Sequence, residues 1–243
     1  MTLLEAVDVS KSFGGIQALS ACCVRVEEGE IAGLIGPNGS GKTTLFNVMT
    51  GYERADAGSV RLRDKNLTGA SPRAVFTQGI GRTFQLTRIF PRLSVFENVH
   101  VAVQRAGTAG VLKHWTTARE RQRVDELLDF VGLSSLRDLP AGSLSYGQKK
   151  LLEFATILVS EPRVILLDEP AGGVNPTMIT YLAERIQTLN GEGVTFLIVE
   201  HNMEFVMGLC DRVSVMHRGS LIAEGTPAEV RRNPAVLNAY LGD

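Results

Sequence analysis

Gly36, Gly41, Lys42 and Thr43 stand at the spacing G-x-x-x-x-G-K-T within "GPNGSGKTT", Gly36 to Thr44. Gly36, Gly39 and Gly41, interleaved with Pro37, Asn38 and Ser40, allow a backbone to wrap closely and point its N–H groups inward at phosphate oxygens. Lys42 offers a mobile point charge to β- and γ-phosphates. Thr43, followed by Thr44, offers a hydroxyl suited to Mg²⁺. The apolar run "IAGLI" precedes the loop, and a helix starting near Gly41 follows it. That helix would aim its positive end at the same anion. A chance Gly-rich turn would not fill every fixed position in a strand–loop–helix setting.

Three further stretches carry groups able to act on a bound phosphate. "VILLDEP" is an apolar strand that ends in Asp168 and Glu169. Its carboxylates would lie outside the carboxyl end of a sheet, where Asp168 can hold Mg²⁺ and Glu169 can polarise a water. His201 follows the apolar strand "TFLIVE" and reads either as a structural group or as a member of the same site. "LSYGQKK", Leu144 to Lys150, precedes the helical run "LLEFATILVS". There Ser145 and Gly147 suit an anion at a helix N-terminus, and Ser145 equally suits an ordinary N-cap. Gln85, in "GRTFQ", carries little weight by itself.

These groups need elements to hold them. "LLEAVDVS" and "LSACCVRV" read as short strands joined by a turn at Gly14–Gly15, and "GEIAGLIG" as a buried strand. A helix spans about Gly41 to Thr50 and stops at Gly51. "GSVRLRDKNL" returns to strand character. From Ser94 to Val131 the pattern is helical, with Val124, Leu127, Leu128 and Val131 on one face and the solvated run "RERQR" beside it. "VILLDEP", a helix through Tyr181–Leu189, "VTFLIVEH" and a hairpin turning at Arg218–Gly219 complete the chain. Strands alternating with helices imply a mainly parallel α/β sheet, into which the helical middle is inserted.

Bulk properties narrow the function. The chain has 243 residues, which suits one large domain. Its 25 basic and 26 acidic side chains nearly cancel, which argues against a dedicated nucleic-acid binder. The longest apolar runs, such as "VTFLIV", fall far short of the roughly 20 residues a membrane span needs. No secretory leader is expected from "MTLLEAVDVS", so work at a membrane would go through a partner. Cys22, Cys23 and Cys210 read as reduced thiols of a cytoplasmic protein, and His100 and His114 have no ligand-like companions.

In this order the motifs resemble those of the ATP-binding-cassette ATPases, over essentially the whole chain. Gly36–Thr44 matches the Walker A loop and Gln85 the Q-loop. "LSYGQ" matches the signature motif, Asp168 and Glu169 the Walker B aspartate and catalytic glutamate, "AGGVNP" the D-loop, and His201 the switch histidine. Phe13 falls where the family stacks an aromatic on adenine. Two positions depart from the usual pattern: Tyr146 replaces the first glycine of "LSGGQ", and Asn175 the D-loop aspartate. The resemblance implies a P-loop core, an antiparallel β-subdomain near the N-terminus and an α-helical subdomain. Residues 1–85 and 160–243 would form the core and 86–159 the helical part. It implies ATP and Mg²⁺, with the metal held by Thr43, Gln85 and Asp168, and catalysis by Lys42, Gln85, Glu169 and His201.

The resemblance further implies a head-to-tail dimer, homomeric or with a second cassette, in which Ser145, Gly147 and Gln148 of one subunit face the ATP of the other. ATP then acts as a latch, and transmembrane permease subunits would couple to it at the cytoplasmic face of the cell membrane. Phe90, Leu93, Val95 and Phe96 would either dock those subunits or pack the helical lobe. "FGG", "GRTFQ", "LSYGQ", "VEHNMEFVM" and "GTPAEVRRNPAVLNAYLGD" are similar to the ATPases of branched-chain amino-acid importers, bacterial or archaeal systems fed by an external binding protein. Relatives serving urea, amides or lipopolysaccharide export have similar cassettes. In the tail, Val236 with Tyr240, and Leu237 with Leu241, form a stripe that would dock on the cassette itself. Soluble repair ATPases would need a long coiled coil after Gln85, translation factors a second cassette, and a GTPase an Asn-Lys-x-Asp motif. None of these is present.

Overall fold

A computed structural model describes residues 1–83, 88–106 and 117–241. The chain opens with two twelve-residue strands, β1 (Thr2–Phe13) and β2 (Ile16–Glu27). They are longer than the short strands expected from sequence, because register shifts let the pair bend and continue past polar residues. β3 (Ile31–Ile35), buried throughout, leads into α1 (Lys42–Met49). Gly51, at φ 76°, ends that helix as expected. β4 (Ala57–Leu62) and the two-residue β5 (Lys65–Asn66) follow.

α2 (Pro72–Thr77) and β6 (Ile80–Arg82) were not legible as separate elements, although Ser71 caps α2 ahead of a proline at its first position. The helical middle resolves into α3 (Val95–Ala106) and α4 (Ala118–Phe130). Then come α5 (Tyr146–Leu158), β7 (Val164–Asp168), α6 (Pro176–Gly191), β8 (Thr195–Val199) and α7 (Met203–Leu209). β9 (Arg212–His217) and β10 (Ser220–Gly225) form the closing hairpin, followed by α8 (Pro227–Arg232) and α9 (Pro234–Leu241). The hairpin turns where expected, with Arg218 and Gly219 both at positive φ.

The chain divides into two compact units. One comprises Met1–Arg82, Arg163–Gly172 and Leu189–Asp243; the other comprises Thr83–Pro162 and Gly173–Thr188. The first holds two sheets. An antiparallel one runs in the order β2-β1-β4-β5, and a six-stranded one in the order β10-β9-β3-β8-β7-β6. In the second sheet all neighbours are parallel except β10 on β9. One apolar core joins Leu4, Val9 and Val24 of the first sheet to Leu34, Leu166 and Leu197 of the second, with Phe46 and Met49 of α1. In the second unit α3, α4 and α5 pack on one another. The predicted face of α4 is buried at Val124, Leu127 and Leu128, and Val131 beyond its end is buried too. Arg123, in the basic run, pairs with Glu126 and Glu161 at the surface.

Some expectations shift. In α9 the buried side chains are Val236 and Ala239, whereas Leu237 and Tyr240 are exposed, so among the described side chains of the expected stripe Val236 alone is buried. Val95 is buried, and Phe96 lies under Arg137 at 4.1 Å and against His100, which leaves Phe90 as the exposed member of that apolar group. All three cysteines are free. Among the described residues no helix is long and apolar enough to cross a membrane.

Candidate functional site

The register of the parallel sheet brings the chemistry to one edge. Leu34 of β3 pairs with Val199 of β8, and Val199 pairs in turn with Asp168 of β7. These three strands therefore end level. The Gly36–Thr44 loop, Asp168–Glu169 and Glu200–His201 all follow directly from that row. Binding at the carboxyl ends of parallel strands is what such a sheet favours.

The loop is held from behind. A Cβ on Gly36 would stand 2.1 Å from the Met216 carbonyl oxygen, and one on Gly41 2.5 Å from that of Ala18. Only glycine permits this approach of the loop to β9 and β2. Ser40 is buried, and its carbonyl accepts from the Gly219 N–H at 2.9 Å. Pro37 is half-buried, whereas Asn38, Gly39 and Thr43 face solvent and Thr44 lies half-buried behind them. Lys42 Nζ donates to the carbonyls of Gly36 at 2.8 Å and Pro37 at 2.9 Å, and to Ser40 Oγ at 3.3 Å. Burial holds the Lys42 ammonium below its ordinary pKa, and the neighbouring charges of Glu169 and Asp168 partly offset this. Loop, lysine and both carboxylates thus share one site.

Glu169 has a left-handed backbone, φ 49°. Its N–H donates to the Val199 carbonyl at 2.9 Å and its own carbonyl accepts from Gly172 N–H at 3.2 Å. Such a conformation costs a non-glycine residue about 1–3 kcal/mol and persists where its surroundings enforce it, often at functional sites. The turn brings Glu169 Oε1 to 2.8 Å from His201 Nε2. His201 therefore meets the Glu169 carboxylate at the strand ends through a ring that is 41% exposed.

Arg82, from β6, was missed as a site residue. Its side chain is 7% exposed, and its Nη2 meets Asp168 Oδ2 at 3.1 Å. Nη1 donates to Asn47 Oδ1 and Thr50 Oγ1, each at 2.8 Å. The rings of Phe46 and Tyr52 flank the guanidinium. A lone arginine in an otherwise apolar three-residue strand was the available signal. Gln85 lies outside the described residues.

Phe13 ends β1 at the tip of the first hairpin. It is exposed, with Lys11 Nζ 5.1 Å from its ring centroid. In the second unit, Ser145 is the N-cap of α5 and forms a capping box: its Oγ accepts from Gln148 N–H, and Gln148 Oε1 accepts from Ser145 N–H. Gly147 lets the start of α5 approach the start of α6, since a Cβ there would stand 3.1 Å from Met178 Cγ. Tyr146 fits because its ring edge lies over Gly173, where a Cβ would come within 3.2 Å, and Lys150 covers the ring. Asn175 Oδ1 accepts from Met178 N–H at 2.9 Å, a capping role that Asn and Asp serve equally well.

Residues 19–172 match the family model described as ABC transporter. The chain belongs to the ABC transporter family. Its last residues, 220–243, match a second model, that of the branched-chain amino acid ATP-binding cassette transporter. This cassette is 39% identical over 252 residues to LivG of Salmonella typhimurium, a high-affinity branched-chain amino acid transport ATP-binding protein, covering 99% of this chain and 98% of that one. It is 38% identical over 247 residues to the probable LivG of Archaeoglobus fulgidus, covering 100% and 96%. Among solved structures, a nucleotide-free ATP-binding cassette from an ABC transporter superimposes with a TM-score of 0.91 at 34% identity, over the full length of both chains. The ADP conformation of such a cassette superimposes at 0.90, with 34% identity over the same coverage.

Proposed function

We propose that this cassette is the ATP-hydrolysing subunit of a membrane importer, with branched-chain amino acids as its cargo. The phosphate loop is common to many machines, so the observation that carries the cargo reading is the C-terminal match at 220–243, joined to full-length likeness to LivG. The catalytic reading rests on the 2.8 Å contact between Glu169 and His201 at the level strand ends.

In this reading the backbone of Gly36–Thr43 and the start of α1 hold the phosphates of ATP, while Lys42 turns its ammonium from the loop carbonyls to the β- and γ-oxygens. Phe13 offers its exposed ring to adenine. The oxygen donors Thr43 and Asp168, with Gln85, suit Mg²⁺, which when bound neutralises charge developing on the γ-phosphoryl group. Glu169 orients and deprotonates the attacking water, and His201 holds its carboxylate in place. Ser145, Gly147 and Gln148 of a second cassette cover the γ-phosphate, so ATP closes the pair and hydrolysis releases it. Permease subunits of the membrane turn that cycle into transport, with the cassette at their cytoplasmic face.

The test is uptake of labelled leucine, isoleucine and valine by source cells whose only copy carries Glu169→Gln. Collapse of uptake with membrane potential intact is expected. Unchanged uptake in cells shown to lack another importer would overturn the cargo assignment.

A further inference from the structure

Glu200 stands between β8 and His201, and it is 2% exposed. A carboxylate so deeply placed is costly unless its oxygens are satisfied. Glu200 Oε1 accepts from the Ala171 N–H at 2.5 Å. Oε2 accepts from the N–H groups of His201 at 2.9 Å and Asn202 at 3.1 Å. All three donors are backbone amides, and they come from two different turns. Ala171 lies two residues beyond Glu169, in the turn that follows β7. His201 and Asn202 begin the turn that follows β8.

The turn after β7 also meets the end of β8 and the turn that follows it at two other places. Glu169 N–H donates to the Val199 carbonyl, and His201 Nε2 reaches Glu169 Oε1. One buried carboxylate therefore fixes the backbone on both sides of the His201–Glu169 contact. The contact itself is made by partly exposed side chains, 41% and 23%, which solvent would otherwise loosen. The left-handed Glu169 also needs its turn enforced, and the bond to Ala171 supplies one of the restraints.

From this geometry we propose that Glu200 is a positioning residue that sets the reach between His201 and Glu169 by tying the turn after β7 to the turn after β8. The proposal rests on the reading of Glu169 and His201 as the hydrolytic pair. Glu200 touches neither ATP nor water in this scheme. It acts through the pair.

Glu200→Gln keeps the shape but turns an NH₂ group toward one set of backbone N–H donors, which breaks the tether on that side. Glu200→Asp keeps the charge on a shorter arm. With the full-length chain, Mg-ATPase kinetics and the His201 imidazole Nε2–H resonance are read for both variants, with amide dispersion recorded as a check of folding. Glu200→Gln is expected to lower kcat by about ten- to a hundredfold with KM changed less than about twofold, the size of loss that an ångström-scale misplacement produces. The Nε2–H resonance should broaden or vanish, and Glu200→Asp should fall between the two. An unmoved resonance in a folded Glu200→Gln chain overturns the tether. A loss shared equally by KM and kcat, or an unchanged kcat, overturns the positioning role. Glu169→Gln distinguishes failure of the underlying reading: if that variant hydrolyses ATP at the normal rate, the catalytic assignment falls, and the resonance still decides the tether.

Discussion

Removing the Arg82 guanidinium should unsettle the first unit by breaking a buried ion pair at the site. Arg82 and Asp168 have side chains only 7% and 5% exposed, so their charges interact with little screening. In Arg82→Met the thioether fills much of the space between Phe46 and Tyr52, yet Asp168 keeps its charge and loses its buried ion-pair partner. Breaking a buried pair from one side costs about 3–5 kcal/mol, mostly the penalty of the stranded charge. The lost bonds to Asn47 and Thr50 belong to the same network and are not added separately. At about 2–4 °C per kcal/mol for a chain of this size, the melting temperature should fall by about 6–20 °C. Circular dichroism melts of the parent, Arg82→Met and Arg82→Met/Asp168→Asn would measure it. The double variant should recover part of the loss, because the amide leaves no stranded charge. Arg82→Lys should lie between, since a point ammonium cannot hold three acceptors in a planar fork. A melt of Arg82→Met within about 2 °C of the parent, or no recovery in the double variant, would refute this account.

Other outcomes follow from the same geometry. Lys42→Ala should lose ATP hydrolysis, seen as absent phosphate release. Glu169→Gln should keep Mg-ATP binding but elute as a dimer in size-exclusion with Mg-ATP, because an amide cannot serve as base. Burial pushes the Cys22 and Cys210 thiols up to about 12, whereas Cys23 is half-buried beside Asp8. Iodoacetamide at pH 8 should therefore modify Cys23 first, as read by peptide mass spectrometry, and label the other two only on unfolding. Gly36→Ala should abolish nucleotide binding, since its Cβ would stand 2.1 Å from the Met216 carbonyl oxygen; titration with a fluorescent ATP analogue would check it.

Much of the fold was legible because its elements carry strong local signals. β3, β7 and β8 are five-residue strands, buried at every position and apolar apart from Asp168 and Thr195. α1 is bracketed by glycines, and the last hairpin by its Arg-Gly turn. The illegible parts are those fixed by distant partners. β6 has three residues and exists through pairing with β7. β1 runs on to Phe13 because β2 pairs with it to the end, although its last two residues are exposed. Arg82 and Glu200 were invisible as site residues for the same reason. Their partners are Asp168 and Ala171, 86 and 29 residues away, and only the level strand ends bring them together.

At the signature segment the sequence left two readings open, a helix cap and an anion contact, and the capping box makes them compatible. Ser145 Oγ accepts the Gln148 N–H, but a hydroxyl still carries a proton to donate. Gln148 Oε1 accepts the Ser145 N–H, and its amide NH₂ remains a donor. The cap therefore spends acceptors and leaves donors, which are the groups a γ-phosphate requires. In the proposed pairing of two cassettes, it also fixes both side chains beforehand, which lowers the conformational entropy lost on closure. Tyr146 supports the same end from beneath, its ring against Gly173 and Lys150. A residue larger than glycine at 173 would displace that ring, so the tyrosine that departs from the common motif and the glycine of the following loop form one packing unit.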